Sequence, residues 1–468
     1  MRRKLLWVLG GIVLLAAVLL GVAYWQASSI VAQLHAGPKE AVVKAVAPEL
    51  HRTPRKTLAS LPKEPSAQTI LLIGSDRRWS GANGARSDTI MLARVEPSKH
   101  RIALLSIPRD LYVAIPGHGH DRINMAFNYG GERLLTRVVR DTFGVRIDHF
   151  VEIAFHGFKD VISDLGGVYL PVDQRYYNRN VGTSETNYSN IDLKPGYQKL
   201  DADQALAFAR YRHADNDFVR AARQQLLLRT IAHDVLAGSW GPFRIRRLAL
   251  AVAKATTSDI SSLGEIFSLA RAIHDTAAAG VVRLTVPAES LVLYGADYLT
   301  ADHAELAGVV RRWLGLTSAR KHPAPPRNTD VIPRANLASD GGRGAALLAS
   351  LDTGLRTCAP TALPGGFWWP TGAARSYTLA GHPAIALYAT AGSGDSVLWM
   401  YTTWDQPPIL EHPSGTLARG GRTYQLYSEH GRLRMIAWRR GSTEAWITNT
   451  LQNSLTNQQL IGLARTCR

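Results

Sequence analysis

Three charged clusters in the first third of the chain have the right chemistry to hold a phosphoryl group. Asp76-Arg77-Arg78, Arg86-Ser87-Asp88 and Arg109-Asp110 each sit at the end of an apolar run. Carboxylate oxygens hold a hard divalent cation, and guanidinium forks hold phosphoryl oxygens. A second set lies further on, in LDADQALAFARYRHADNDFVRAARQQLLL. There Arg210 and Arg212 close one helix, while Arg220, Arg223 and Gln224 fall on one face of the next. Arginine near a helix C-terminus simply complements the dipole. Arg220 in a first turn opposes it, so an anionic partner is expected there.

The elements that must position these side chains follow from the hydrophobic pattern. Thr69 to Ile73, Thr89 to Val95 and Ile102 to Ile107 read as three strands, with the charged clusters at their ends beside Gly74, Gly81 and Gly84. Strand ends are where α/β sheets present ligand-binding groups. Leu111 to Ile115 is a further strand, closed by PGHGH, whose His118 and His120 read as a solvated turn rather than a metal site. A helix over Leu134 to Val139 stops at Gly144, Ile147 to Ile153 alternates as a strand, and His156 to Leu165 is a helix capped by Gly166 and Gly167. Val168 to Val172 is the strand that follows. Asp201 and Gln204 make a capping box for the helix carrying Arg210, and Asp215 or Asp217 opens the next. Amphipathic helices over Leu263 to His274 and His303 to Trp313 flank a strand at Val281 to Val286. Alternating helices and strands indicate an α/β domain of α/β/α layers around a central mixed sheet.

The 468 residues exceed one ordinary domain. Residues 1–4 are expected as a cytoplasmic tail, 5–25 as a transmembrane anchor, 26–66 as a stem, 67–316 as the catalytic domain and 317–335 as a proline-rich linker. Residues 336–468 then form a small α+β accessory domain of antiparallel hairpins and a terminal helix. Leu5 to Trp25 runs for 21 residues without a charge, which at 1.5 Å per residue spans about 30 Å, one bilayer core. Arg2, Arg3 and Lys4 in front of it place the N-terminus in the cytoplasm and the bulk of the chain outside. A cleaved signal peptide would carry a shorter apolar run and a small-residue cleavage site. The net charge of +17 asks for an acidic partner. With the chain outside the membrane, nucleic acid is excluded, and lipid or a phosphate-bearing polymer remains.

Only two cysteines occur, Cys358 and Cys467, expected as one disulfide of an exported domain. Their position leaves the main domain without a thiol nucleophile or a cysteine metal ligand. Six of the eleven tryptophans lie between Trp368 and Trp446. They could stack on sugar or lipid, but aromatics in half-buried sheets are usually core.

The motifs LLIGSDRR, ARSDTIML, LSIPRDLYV, DRINMAFNYGG, DLGGVYLPV, ALAFARYRH and DFVRAARQQ, in that order, resemble the LytR-CpsA-Psr family of membrane-anchored glycopolymer transferases, with an actinobacterial character. The resemblance covers roughly Gln68 to Leu316. It implies transfer of a cell-wall polymer from a polyprenyl-pyrophosphate carrier to peptidoglycan, forming a phosphodiester. Asp76 and Asp88 would hold Mg²⁺, or Mn²⁺ in its place, with Asp76, Asp88 and Arg109 as the catalytic group. Arg78, Arg86, Arg122, Arg210, Arg212, Arg220, Arg223 and Gln224 would bind the pyrophosphate; Arg122 stands where many members carry Lys, and Arg223 is the weaker match. The polymer could be an arabinogalactan precursor or a teichoic acid. A hydrolase that uses water as acceptor, or a non-catalytic scaffold for anionic wall polymers, would use the same residues. A transcription regulator would have only residues 1–4 on the DNA side of the membrane.

Overall fold

The computed structural model describes residues 32–33, 39–55, 57–58, 66–75, 87–179, 190–211, 217–237, 252–260, 262, 265, 281–293, 295–316, 337–351, 354–392, 394–429 and 431–467. The expected anchor, the helix over Leu263 to His274, and Asp76, Arg78, Arg86 and Arg212 lie outside them. Among the described residues no helix is long and apolar enough to cross a membrane. The chain divides into two compact units, Met1–Leu165 with Gly238–Ala279 and Val286–Leu314, and Gly166–Ala237 with Gly280–Thr285 and Gly315–Arg468.

In the first unit, helix α1 (Lys39–Val46) precedes strands β1 (Gln68–Ser75), β2 (Ser87–Glu96) and β3 (Arg101–Ile107), the hairpin β4 (Tyr112–Ile115) and β5 (Gly119–Arg122), and helix α2 (Met125–Phe143). β6 (His149–Ala154) and α3 (Phe155–Leu165) follow. The three expected strands form, each extended by one to three residues. β1 pairs with β2 antiparallel and with β6 parallel, so the sheet is mixed. Both its faces are covered: Leu71, Ile73, Ile90 and Leu92 are buried on one, while Ile70, Ala93 and Val95 pack with Leu104 and Val151 on the other. α2 begins at Met125, well before Leu134, and bends where Gly130 and Gly131 leave helical backbone. Gly144 ends it in the left-handed conformation at φ 61°.

The second unit starts with β7 (Val168–Val172), β8 (Tyr176–Asn178), β9 (Ile191–Leu193), β10 (Gly196–Leu200), α4 (Ala202–Arg210) and α5 (Asp217–Ala237). The Asp201 capping box is present in full, its carboxylate accepting from the Gln204 amide and its own amide donating to the Gln204 side chain. The chain then returns to the first unit for β11 (Thr256–Ser258), whose partner is β6. Within that unit the strand order is β11-β6-β1-β2-β3. β12 (Val281–Thr285) belongs to the second unit, and β13 (Glu289–Leu293), β14 (Ala296–Thr300) and α6 (His303–Trp313) to the first. α6 is fixed on β3, where Trp313 Nε1 donates to the Ala103 carbonyl at 3.1 Å and Arg101 donates to the Trp313 carbonyl at 2.6 Å.

The C-terminal part of the second unit is an eight-stranded antiparallel sheet. It includes the strands Arg422–Glu429, Arg432–Arg440 and Thr443–Thr448, the hairpins read from sequence, with Asn457–Thr466 as the terminal helix. Trp399 and Trp446 are fully buried, so they serve as core, whereas Trp368 is 47% exposed. Cys358 and Cys467 form the disulfide.

Candidate functional site

β2 and β3 pair so that Ile90 faces Ile107. Continuing that antiparallel register two residues further sets Asp88 opposite Arg109, across the mouth left where the ladder ends. Their side chains meet there: Arg109 Nη1 donates to Asp88 Oδ1 at 2.6 Å, with both about 15% exposed. Such a short, charge-assisted contact is strong and holds both groups in one geometry. On the other side of β2 the ladder with β1 carries an irregularity between Gly74 and Ser75, after which Ser75 faces Ser87. A side chain at Gly74 could not fit, since its Cβ would come within 2.9 Å of Thr89 Cβ. Ser87 Oγ is buried here without a hydrogen-bond partner among the described residues. An orphan hydroxyl one residue from Asp88 suits a site built for a polar ligand.

Arg109 leads into Asp110, and the β4–β5 hairpin folds Arg122 back against it. Tyr112 pairs with Arg122, and the Arg122 and Arg109 guanidiniums stand 3.6 and 3.7 Å from Asp110 Oδ1. β14 locks the arrangement from a distant part of the sequence. The Leu299 amide donates to the Asp110 carbonyl at 2.9 Å, Arg122 Nη2 donates to the Asp297 carbonyl at 2.9 Å, and the Arg122 guanidinium lies 4.9 Å from the Tyr298 ring centre. The result is a row of alternating charges, Asp88, Arg109, Asp110 and Arg122, along one strand end. Sequence reading placed Asp110 in the cluster but gave it no role; its position directly after Arg109 was the available signal. Tyr298 carried no local signal at all. His118 stacks flat on Tyr129 at 4.2 Å, and Tyr129 donates to Asp121 at 2.8 Å, which raises its hydroxyl pKa.

In the second unit Arg210 ends α4, and Arg220 is buried on α5. Gln224 Nε2 donates back to the Ala209 carbonyl at 3.3 Å, joining the two helices. Arg223 is fully buried, its guanidinium 4.8 Å from the Tyr176 ring centre, 5.6 Å from Phe208 and 5.4 Å from Tyr211, and it donates to the Tyr211 carbonyl. That enclosure makes Arg223 a clamp on the α4–α5 connection. Its expected binding role was already the weakest of the set.

A model of the LytR_cpsA_psr family matches residues 30–312. The chain belongs to the LytR-CpsA-Psr family. Among its relatives, the polyisoprenyl-teichoic acid–peptidoglycan teichoic acid transferase TagT of Bacillus subtilis is 32% identical over 227 residues, 46% of this chain and 70% of that protein. The probable cell wall biosynthesis protein LcpB of Corynebacterium glutamicum is 32% identical over 241 residues, 48% of this chain and 55% of that protein. A solved structure of the LytR-CPS2A-psr family protein YwtF (TagT) with bound octaprenyl pyrophosphate lipid is 25% identical, covers 57% of this chain and 98% of that one, and superposes with a TM-score of 0.41.

As a LytR-CpsA-Psr site, the strand end meets part of what Mg²⁺ requires. Asp88 is the described half of the expected aspartate pair, and no group of three or more His, Cys, Asp or Glu residues gathers among the described residues. Mg²⁺ takes one or two carboxylates and fills its remaining positions with water and substrate phosphate. Asp88, about 15% exposed at the strand end, fits as one such carboxylate.

Proposed function

We propose that this protein transfers a cell-wall glycopolymer from a polyprenyl-pyrophosphate carrier to peptidoglycan, forming a phosphodiester. The observation that carries the reading is the Asp88–Arg109 contact at 2.6 Å, set by strand register in a member of a family whose relative TagT is named a teichoic acid transferase. Phosphoryl transfer asks the protein for positioning and charge neutralisation more than for covalent participation. Arg109 holds the Asp88 carboxylate in place and contributes positive charge where the phosphoryl oxygens gather. Arg122, fixed by Asp297 and Tyr298, adds a second guanidinium, and Arg78 and Arg86 serve as further pyrophosphate ligands.

Bound Mg²⁺ would neutralise pyrophosphate charge, with Asp88 and Asp76 as its protein ligands. The acceptor sugar hydroxyl forms a bond to the phosphorus nearer the glycan, that phosphorus loses its bond to the bridging oxygen, and polyprenyl phosphate departs. The hydroxyl proton passes to Asp88 or Asp76. Residues 5–25 anchor the chain in the membrane that carries the lipid substrate, with the catalytic part outside the cell.

The test follows a defined polyprenyl-pyrophosphate disaccharide incubated with the full-length protein in detergent. Consumption of the lipid that needs Mg²⁺ and disappears in Asp88→Ala supports an enzyme. A protein that binds the lipid equally well with and without Asp88, and never consumes it, is a scaffold.

A further inference from the structure

A second cluster of guanidiniums, unconnected with Asp88 and Arg109, lies wholly inside the second unit. Arg229 comes from α5, Arg283 from β12 and Arg434 from the strand Arg432–Arg440. Among the described residues only Glu429, at the end of the strand Arg422–Glu429, reaches ion-pair distance. Arg283 Nη2 donates to its Oε2 at 2.5 Å, and Arg229 Nη1 stands 3.6 Å from the same atom. Arg434 makes no side-chain hydrogen bond or ion pair among the described residues. Three fixed positive charges thus share one carboxylate in a largely desolvated place.

Arginine does not shed its proton to escape such crowding. Burial pushes Arg229 well below the ordinary arginine range, with Arg434 and Arg283 adding to the push and Glu429 opposing it. Arg434 is lowered by burial in the same way, with Arg283 again adding and Glu429 opposing. The repulsion is a standing cost that a bound anion would remove.

There is room for one. Arg229 and Arg434 line two adjoining cavities, of about 40 and 170 Å³. The larger is lined by Tyr169, stacked on the buried Tyr197 at 5.6 Å, and by Asp234 and Glu411. Two acids in the lining disfavour a polyanion. They suit hydroxyl groups, which donate to carboxylates, and the half-buried Tyr169 ring suits the apolar part of a sugar. The volume is below the roughly 300 Å³ of a drug-sized site.

We propose that this cavity binds a single pyranose carrying one anionic group, a phosphate or a carboxylate, with the anion between Arg229 and Arg434 and the ring against Tyr169. The site belongs to the second unit alone and does not depend on the transferase reading.

Trp404 lies 5.5 Å from the Tyr169 ring, so its fluorescence reports occupancy. The full-length protein in detergent is titrated with glucose 1-phosphate, glucuronate and neutral glucose, followed by fluorescence and calorimetry. The expected result is saturable binding of at least one anionic sugar, with glucose at least tenfold weaker. Arg434→Met weakens the anionic sugar at least tenfold, Arg434→Lys restores part of the loss, and Asp88→Asn leaves it unchanged. Preference for the phosphate or the carboxylate identifies the source of the group. Absence of binding by both anionic sugars, equal binding of glucose, an unchanged affinity in Arg434→Met, or loss in Asp88→Asn would each overturn the proposal. If Arg434→Met does not fold, Arg229→Met answers the same question.

Discussion

Replacing Asp88 by Asn keeps the shape of the side chain and removes its charge, so it separates the two things the Asp88–Arg109 contact could be. The pair is close, 2.6 Å, and only about 15% exposed on either side. Breaking a fully buried pair costs about 3–5 kcal/mol. Here Asp110 stands 3.7 Å from the same guanidinium, so Arg109 keeps a carboxylate neighbour and the loss falls to about 1.5–3 kcal/mol, that of one charge-assisted hydrogen bond. For a unit of this size that lowers the melting temperature by roughly 3–12 °C. Measured by circular dichroism, the variant should remain fully folded at 25 °C. At that temperature, consumption of the lipid-linked glycan should fall by at least about 10³-fold, corresponding to some 4 kcal/mol of lost transition-state stabilisation. A variant that melts early as expected but turns over within about tenfold of the parent would show the pair to be structural, and the reasoning would fail.

Other consequences follow from the same structure. The disulfide spans 109 residues; in the chain-entropy model Cys358→Ser with Cys467→Ser should cost up to about 5 kcal/mol, read by urea unfolding with and without reductant. His149 Nδ1 bonds Asp259 at 2.8 Å, and this hydrogen bond raises its pKa, against opposing burial. The stability it contributes is therefore present in full below the unfolded-state pKa of about 6.5 and fades as pH rises through the raised folded value. The melting-temperature gap between the parent and His149→Asn should narrow along that rise; a gap that widens with pH would contradict it. Arg223→Ala loses a buried cation–ring stack and a charged hydrogen bond, about 3 kcal/mol or more. Arg223→Lys should recover only part of this, because an ammonium cannot lie flat among three rings.

Much of this arrangement was legible in the chain because the signals are local. The Asp201–Gln204 and Thr456–Gln459 capping boxes, the Gly144 stop and the period-2 runs of β1 to β3 are each read from a few adjacent residues. The register that opposes Asp88 and Arg109 was not legible, because it depends on where two strands pair. Nor was the early start of α2, since helical spacing shows only from Leu134 on, while the structure starts at Met125 and bends at Gly130 and Gly131. Long-range partners left no trace: Arg122 is bound by a carbonyl 175 residues away, and the rings around Arg223 come from β8, α4 and the turn after it. The buried Lys39 was missed for the same reason; its ammonium donates to the carbonyls of Ala253, Lys254 and Thr256 at 2.8–2.9 Å, an acceptor set supplied by a distant helix end.

The fate of the phosphorus tests the central claim most directly. The full-length protein is given a ³¹P-observable polyprenyl-pyrophosphate glycan, Mg²⁺ and an undecorated peptidoglycan fragment, and the products are followed by phosphorus NMR and mass spectrometry. The account predicts one polyprenyl phosphate released for each new phosphodiester joining glycan to acceptor. A glycan phosphate monoester formed at the same rate with and without the acceptor would contradict transfer and leave a hydrolase in its place.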